Sequence, residues 1–349
     1  MSDITVLGAG IVGAACAHYL AEAGLRVTVV DRRPPGLGAT GAGMGHLVAM
    51  DDSDAQLALT SASLALWEDL LPGLDCEDDR CGTIWIAADD EEMAACASKR
   101  DEYAKFGLRA EVLDADGLYE AEPLLRPGLT GGLWVPGDRV IYAPKACVEL
   151  LQHPRISFVC REVFELPAGP VVVALGAWSP DLISDLPIRP RKGHLMITDR
   201  YPGLISHQLV ELGYLKSAHG GSDSSVAFNL QPRTTGQIII GSSREFVGWD
   251  AAIRKDVINQ MVNSAIEMVP AMANTQVIRT WVGFRPATTD HLPLIGKWEE
   301  NVWVAAGHEG LGITTASATG RLIAELVHGR TPFLDPKPFD PRREVMAHA

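Results

Sequence analysis

The sequence predicts an α/β chain whose second part is α+β, and three stretches carry that reading. Residues 4–31, ITVLGAGIVGAACAHYLAEAGLRVTVVD, run from an apolar segment through a glycine turn and an amphipathic segment to a second apolar segment ending in an acid. Residues 170–182, PVVVALGAWSPDL, read as a buried strand that stops at a glycine. From Arg189 the texture changes: KGHLMITD, HQLVELGYLKSA, SSVAFNLQP and GQIIIGSSREF alternate and are parted by turn residues, as in a mostly antiparallel sheet.

The opening stretch is a strand, a turn, a helix and a second strand. Gly8, Gly10 and Gly13 spell G-x-G-x-x-G, and Asp31 follows Gly10 by about 20 residues, the spacing of a Rossmann-like dinucleotide site. The first glycine permits the tight turn, the second lets a pyrophosphate approach the backbone, and the third lets the helix pack on the strand. The helix start then turns its N–H groups and positive dipole end towards the phosphates. Asp31 is placed to hydrogen-bond an adenosine ribose, which favours FAD or NAD over NADP, although Arg32 and Arg33 stand beside it.

The remaining elements follow in order. Residues 32–50, rich in glycine and proline, form a long loop with no regular helix or strand through its middle. A helix is expected over 54–71, with Asp54 as its cap, then a strand over 82–89 and a helix over 90–106. Residues 131–144 give a strand and a turn, 145–152 a helix and 156–160 a strand. Only residues 161–170 separate that strand from the one at Val171, room for no more than a tight hairpin. A helix is expected to start near Ser179–Pro180 and another to cover 251–268. QVIRTWVGFRPATTD is a strand running into a loop. NVWVAAGHEGLGITTASATGRLIAELVHG is a strand, a glycine-rich turn and a helix, and 331–349 is a surface tail.

Composition excludes several classes. The chain has 349 residues, 47% of them hydrophobic and 21% charged, as in a globular enzyme of two domains. A net charge of −14 excludes a nucleic-acid partner or a basic membrane-binding patch. The apolar start lacks a basic leader and reads as nucleotide-binding sequence, not a signal peptide. No apolar run of about 18 residues spans a membrane, and a cytoplasmic location is expected. The six cysteines form no CxxC and no zinc or iron–sulfur spacing, so no metal is expected and the thiols are reduced. Cys76 and Cys81 flank CEDDRC, expected as a surface loop, with a labile pair as the alternative.

Three separated stretches, GAGIVGAACAHYLAEAG with VTVVD, VVVALGAWSP, and WVGFRPATTDHLPLIG with VWVAAGHEGLGITTASATG, resemble the D-amino-acid oxidase superfamily of FAD enzymes. KGHLMITDR together with SHQLVELGYLKSAHG is most similar to the flavoprotein β subunit of hydroxyproline, opine or cyanide-forming glycine dehydrogenases. The chain departs from that family chiefly in its short 161–170 connection. The resemblance implies FAD as cofactor and a discontinuous FAD-binding domain, over 1–75, 142–188 and 288–349. A substrate domain on a large mixed, mostly antiparallel sheet takes 76–141 and 189–287. Cofactor contacts are implied at Gly8, Gly10, Ile11, Val12 and Gly13, and at Asp31, Arg32 and Arg33. The loop supplies Thr40, Gly41, Ala42 and Met44, and the middle strand Ala174, Gly176 and Trp178. The C-terminal turn supplies His308, Glu309, Gly310, Leu311, Gly312 and Ile313.

Arg285 carries the implied chemistry. Its planar guanidinium matches a carboxylate bidentately and would aim an amino acid's α-carbon at the flavin. Tyr214 is a candidate hydrogen-bond donor to that carboxylate and His46 a candidate polar substrate contact. His194, His207, His219 and His291 have no motif that separates them from structural histidines. The final helix dipole would stabilise negative charge at the flavin N1/C2=O end. No general base is required if a neutral amine drives hydride transfer to flavin N5. The family implies a dehydrogenase of a hydroxyproline-like amino or imino acid, passing electrons to a partner subunit. A free-standing, peroxide-forming oxidase and a noncatalytic flavin scaffold are the alternatives. A covalent flavin is not expected, since no cysteine lies near the C-terminal turn.

Overall fold

The computed structural model describes residues 2–50, 53–212 and 224–344. They fall into two compact units. The first comprises Met1–Asp78, Ile141–Arg191 and Phe284–Ala349, and the second Asp79–Val140 and Lys192–Gly283.

The first unit is built on a six-stranded sheet. Its order is Leu294–Glu299, Val302–Ala306, Val171–Val173, Ile4–Leu7, Val27–Asp31 and Ile156–Cys160. The last five run parallel, and Leu294–Glu299 closes one edge as an antiparallel hairpin. Strands buried on both faces read as near-continuous Val and Ile runs, as VVV and VTVV do here. The helix Ile11–Glu22 and the final helix Ala316–Val327 share one core with the sheet, through Cys16, Ala17, Leu20, Ala318 and Leu322. They approach closely because Gly320 has no side chain: a Cβ there would stand 2.6 Å from the Ala15 carbonyl. Parallel strands place their carboxyl ends along one rim, so the turns after Leu7, Asp31 and Val173 open on the same side, where α/β sheets bind ligands.

The second unit carries an eight-stranded mixed sheet. Its order is Val277–Ala287, Arg189–Thr198, Ile238–Glu245, Ser224–Pro232, Gln208–Glu211, Thr83–Ala87, Gly131–Val135 and Glu111–Asp114. Gln208–Glu211 pairs antiparallel with Ser224–Pro232 but parallel with Thr83–Ala87. The helix Lys255–Met268 buries Val257, Met261, Ala265 and Met268 in this unit's core. His194 and His207 serve the fold. The Arg254 N–H donates to His194 Nε2 at 3.2 Å, so the ring proton sits on Nδ1, 2.9 Å from Ser243 Oγ. His207 Nδ1 lies 2.8 Å from the buried Glu122 carboxylate.

Several local expectations change. The first long helix is Asp54–Leu70, and its cap is Ser53, whose hydroxyl accepts from the Gln56 N–H, because the cap stands one residue outside the helical residues. The loop after Asp31 contains a single helical turn, Ala39–Ala42, and a two-residue strand, His46–Leu47. Ala143–Leu150 starts earlier than expected because Pro144 suits a first turn. After Val173 the chain enters a 3-10 helix at Gly176, which runs to Asp181. The expected 251–268 helix begins only at Lys255. Glu111–Asp114 and the short helix Ala115–Ala121 had no sequence signal strong enough to find them. All six cysteines are free, and Cys76 is buried among apolar side chains, not on a surface loop. The tail is not wholly superficial either, since Phe339 is 1% exposed in the first unit's core.

Candidate active site

The glycine turn explains its own sequence. Gly8 has φ +108°, where a side chain is strained, and a Cβ there would run into the Ala174 carbonyl. A Cβ on Gly13 would run into the Gly8 carbonyl. Gly10 differs: its only close neighbour would be Thr40 Oγ1 at 3.3 Å, so its open side faces outwards from the packing. As the first cap of Ile11–Glu22 it supplies no side chain, and the first turn holds no acid. The Ile11 N–H donates to Thr40 Oγ1 at 3.0 Å, which pins the loop across the helix start. Such a start, with positive dipole and no carboxylate in its own first turn, is suited to a pyrophosphate.

Asp31 has a structural duty beside its expected one. Oδ2 accepts from the Ala9 N–H at 2.8 Å and Oδ1 from the Arg33 N–H at 3.0 Å, so the carboxylate shapes the glycine turn. Each oxygen keeps a second lone pair, available to a ribose hydroxyl. Beside it a cavity opens at the strand ends, walled in one part by Leu7, Val30 and Trp178 and in another by the charged Arg32, Arg161, Glu162 and Asp181. The Arg32 and Arg33 guanidiniums lie 4.9 and 5.1 Å from the Trp178 ring centroid, and Arg32 also pairs with Glu162 at 3.1 Å. Glycine cradle, uncapped helix start, acid and the neighbouring cavity together fit a dinucleotide.

The second half of the site is the turn between Ala306 and Ala316. Gly307 and Glu309 take positive φ, +78° and +43°. Thr314 is its hub: its hydroxyl donates to the His46 carbonyl at 3.1 Å and accepts from the Val48 N–H at 3.2 Å. Its carbonyl accepts from Ser63 Oγ at 2.6 Å and Trp67 Nε1 at 3.0 Å. The His46 backbone is thereby tied to the turn. The final helix begins only at Ala316, so the His308–Gly312 backbone is set before the helix and not in its first turn.

His308 and Glu309 use their side chains within the protein. His308 is fully enclosed, with Nε2 3.0 Å from Thr319 Oγ1, and burial holds its imidazole down at about 3. Glu309 lies between two partners: Arg191 donates to Oε1 at 2.6 Å, and His291 Nδ1 stands 2.9 Å from Oε2. The Glu309 N–H donates to the Pro286 carbonyl at 3.0 Å, which ties the turn to the strand end bearing Arg285. Arg285 Nε lies 4.0 Å from where a Gly310 Cβ would stand. Arg285, the turn and His46 are thus assembled in one unit. Tyr214 and His219 lie outside the described residues. Arg191, Thr314 and Thr319 were not found by sequence reasoning, since no short spacing links them to their partners.

Residues 3–326 match the family model for DAO, FAD dependent oxidoreductase. The chain belongs to that family. It is therefore an FAD-dependent oxidoreductase, and its two sheets have the architecture of the solved family members. The structure is similar to glycine oxidase from Geobacillus kaustophilus, with a TM-score of 0.88, 25% identity and 99% of each chain covered. It is also similar to L-proline dehydrogenase from P. horikoshii, with a TM-score of 0.86 and 25% identity over 97% of this chain and 96% of that one. In sequence it is 28% identical to hydrogen cyanide synthase subunit HcnC of Pseudomonas aeruginosa, over 97% of this chain and 95% of the relative. Among the described residues no helix is long and apolar enough to cross a membrane, and no cluster of His, Cys, Asp and Glu could hold a metal ion.

Proposed function

We propose that this chain oxidises the C–N bond of a small amino or cyclic imino acid of the hydroxyproline type, and passes the electrons to a partner subunit. The observation that carries this reading is the approach of Arg285 to the turn at Gly310. It sets a guanidinium, the natural anchor of a carboxylate, beside backbone implied to hold the flavin. Similarity to proteins named for glycine and L-proline supports the substrate class. Similarity to a protein named as a synthase subunit supports delivery of electrons within a complex.

When bound, FAD supplies the acceptor for a hydride at N5. The protein's part is placement. Gly10 and the start of Ile11–Glu22 would take the pyrophosphate, Asp31 the ribose, and the cavity beside Trp178 the adenine. The 307–313 turn would hold the flavin pyrimidine end, through N–H groups other than those of Glu309 and Leu311, which already bond the Pro286 and His308 carbonyls. Arg285 would fix the substrate carboxylate and so orient the α-carbon, and orientation of that kind accounts for much of a hydride transfer's acceleration. The substrate amine reacts as its neutral form. His308, buried and bonded to Thr319, is not a base for it.

The test is anaerobic bleaching of the FAD-loaded protein by D- and L-amino acids, glycine, sarcosine and hydroxyproline isomers, followed by admission of air. Bleaching by a proline-type substrate with slow recovery is the expected result. Rapid recovery with peroxide would replace it by the second reading, a free-standing oxidase, which the likeness to glycine oxidase favours. No bleaching by any amine would refute both and leave a flavin-binding scaffold.

A further inference from the structure

Two arginines converge on the 309–310 turn. Arg285 reaches Gly310, and Arg191 binds the neighbouring Glu309. Their surroundings differ. The Arg191 side chain is 8% exposed and its Glu309 partner 14%, with the second carboxylate oxygen taken up by His291. Arg285 is only half-buried. A guanidinium enclosed with its own carboxylate cannot accept a substrate carboxylate without stranding Glu309 in a dry site. The Arg191 guanidinium is therefore not offered to a ligand.

We propose that Glu309 is a specificity-determining residue: by cancelling Arg191 it restricts this site to substrates with a single carboxylate. The proposal rests on Arg285 being the carboxylate anchor and deepens that reading by assigning the substrate's charge. A second carboxylate entering the turn would meet Glu309, a like charge, in place of a second guanidinium. Small neutral side chains, hydrogen or a pyrrolidine ring, meet no such penalty. The left-handed backbone of Glu309 and its N–H bond to Pro286 hold this carboxylate in place whether or not a substrate is bound.

The experiment compares monocarboxylate and dicarboxylate ligands on the FAD-loaded protein. Acetate and malonate are titrated against the flavin absorption spectrum, and sarcosine and iminodiacetate against turnover, for wild type, Glu309→Gln and Glu309→Asp. Glu309→Gln keeps the shape but removes the charge opposite Arg191. It is expected to improve malonate binding relative to acetate by about tenfold or more, the scale of one charge-assisted hydrogen bond. Glu309→Asp is expected to restore the wild-type ratio. A purely structural clamp would weaken both ligands together, and an unchanged ratio in Glu309→Gln would overturn the proposal. If that variant loses FAD, Arg191→Gln serves instead: it leaves Glu309 without its cation and is expected to weaken malonate relative to acetate, with no change in the ratio again overturning it. If wild type binds acetate no better than malonate, the proposal also falls. Failure of the Arg285 anchor is seen separately, as acetate binding that survives Arg285→Ala.

Discussion

Acidification should unlock the C-terminal turn through His308. Its imidazole is fully buried against Thr319, and burial lowers it to about 3. An unfolded histidine titrates near 6.5, so the folded value lies below the unfolded one. The native state holds the ring neutral, while the unfolded chain takes up a proton as pH falls below about 6.5. The stability His308 allows is therefore complete above that pH and is lost progressively towards pH 3. At pH 5 the penalty is about 2 kcal/mol, from one and a half units at about 1.36 kcal/mol each. The assay is urea unfolding of the FAD-loaded protein at pH 7.5, 6 and 5, for wild type and His308→Gln, which keeps a polar reach to Thr319 without a titrating ring. Other groups titrate in both proteins and cancel in the difference. The wild-type advantage should shrink by about 2 kcal/mol between pH 7.5 and 5. A gap that stays constant, or an imidazole resonance of His308 titrating near 6.5, would refute the reasoning.

The two inner glycines should separate by phenotype. Gly13→Ala drives a methyl into the Gly8 carbonyl and should destabilise the protein even without cofactor. At Gly10 a Cβ meets only Thr40 Oγ1, so Gly10→Val should fold, yet purify without FAD; full flavin occupancy would show that pyrophosphate does not approach there. Arg285→Ala should raise KM for a carboxylate substrate on the order of 100-fold, from about 3 kcal/mol of lost charge-assisted bonding, while FAD content holds. An unchanged KM would remove Arg285 from substrate binding.

The parallel sheet was legible because its elements are local: an apolar run, a glycine turn and a helix signal lie within residues 4–31. Gly8 and Gly13 could be read as glycines for backbone reasons, and the Ala174 and Gly8 carbonyls supply those reasons. The antiparallel texture from Arg189 was also legible, but the parallel pairing of Gln208–Glu211 with Thr83–Ala87 was not, since nothing in either strand names a partner so far away. Long-range side-chain bonds escaped for the same reason. Glu309 and His291 sit in one motif region, whereas Arg191 is 118 positions from its carboxylate. His308 looked like a cofactor residue because its neighbours in sequence do; only packing shows its ring turned to Thr319. Phe339 was lost in a proline-rich tail whose composition masks one anchoring aromatic.

Thr314 has a consequence for how the protein is made. Its bonds reach back to Ser63 and to His46, across 251 and 268 positions of chain. Chains emerge from the ribosome N-terminus first, and domains tend to fold as they emerge. The loop at 43–49 and the helix Asp54–Leu70 must therefore wait, with their half of the site unfinished, until Thr314 has been translated. A nascent chain can form its first βαβ unit early but can close around a flavin only once Thr314 has emerged. Closure of the site is thus coupled to synthesis of the turn at Thr314, and a product cut short before it would lack the bonds that hold His46, Val48 and Ser63 in place.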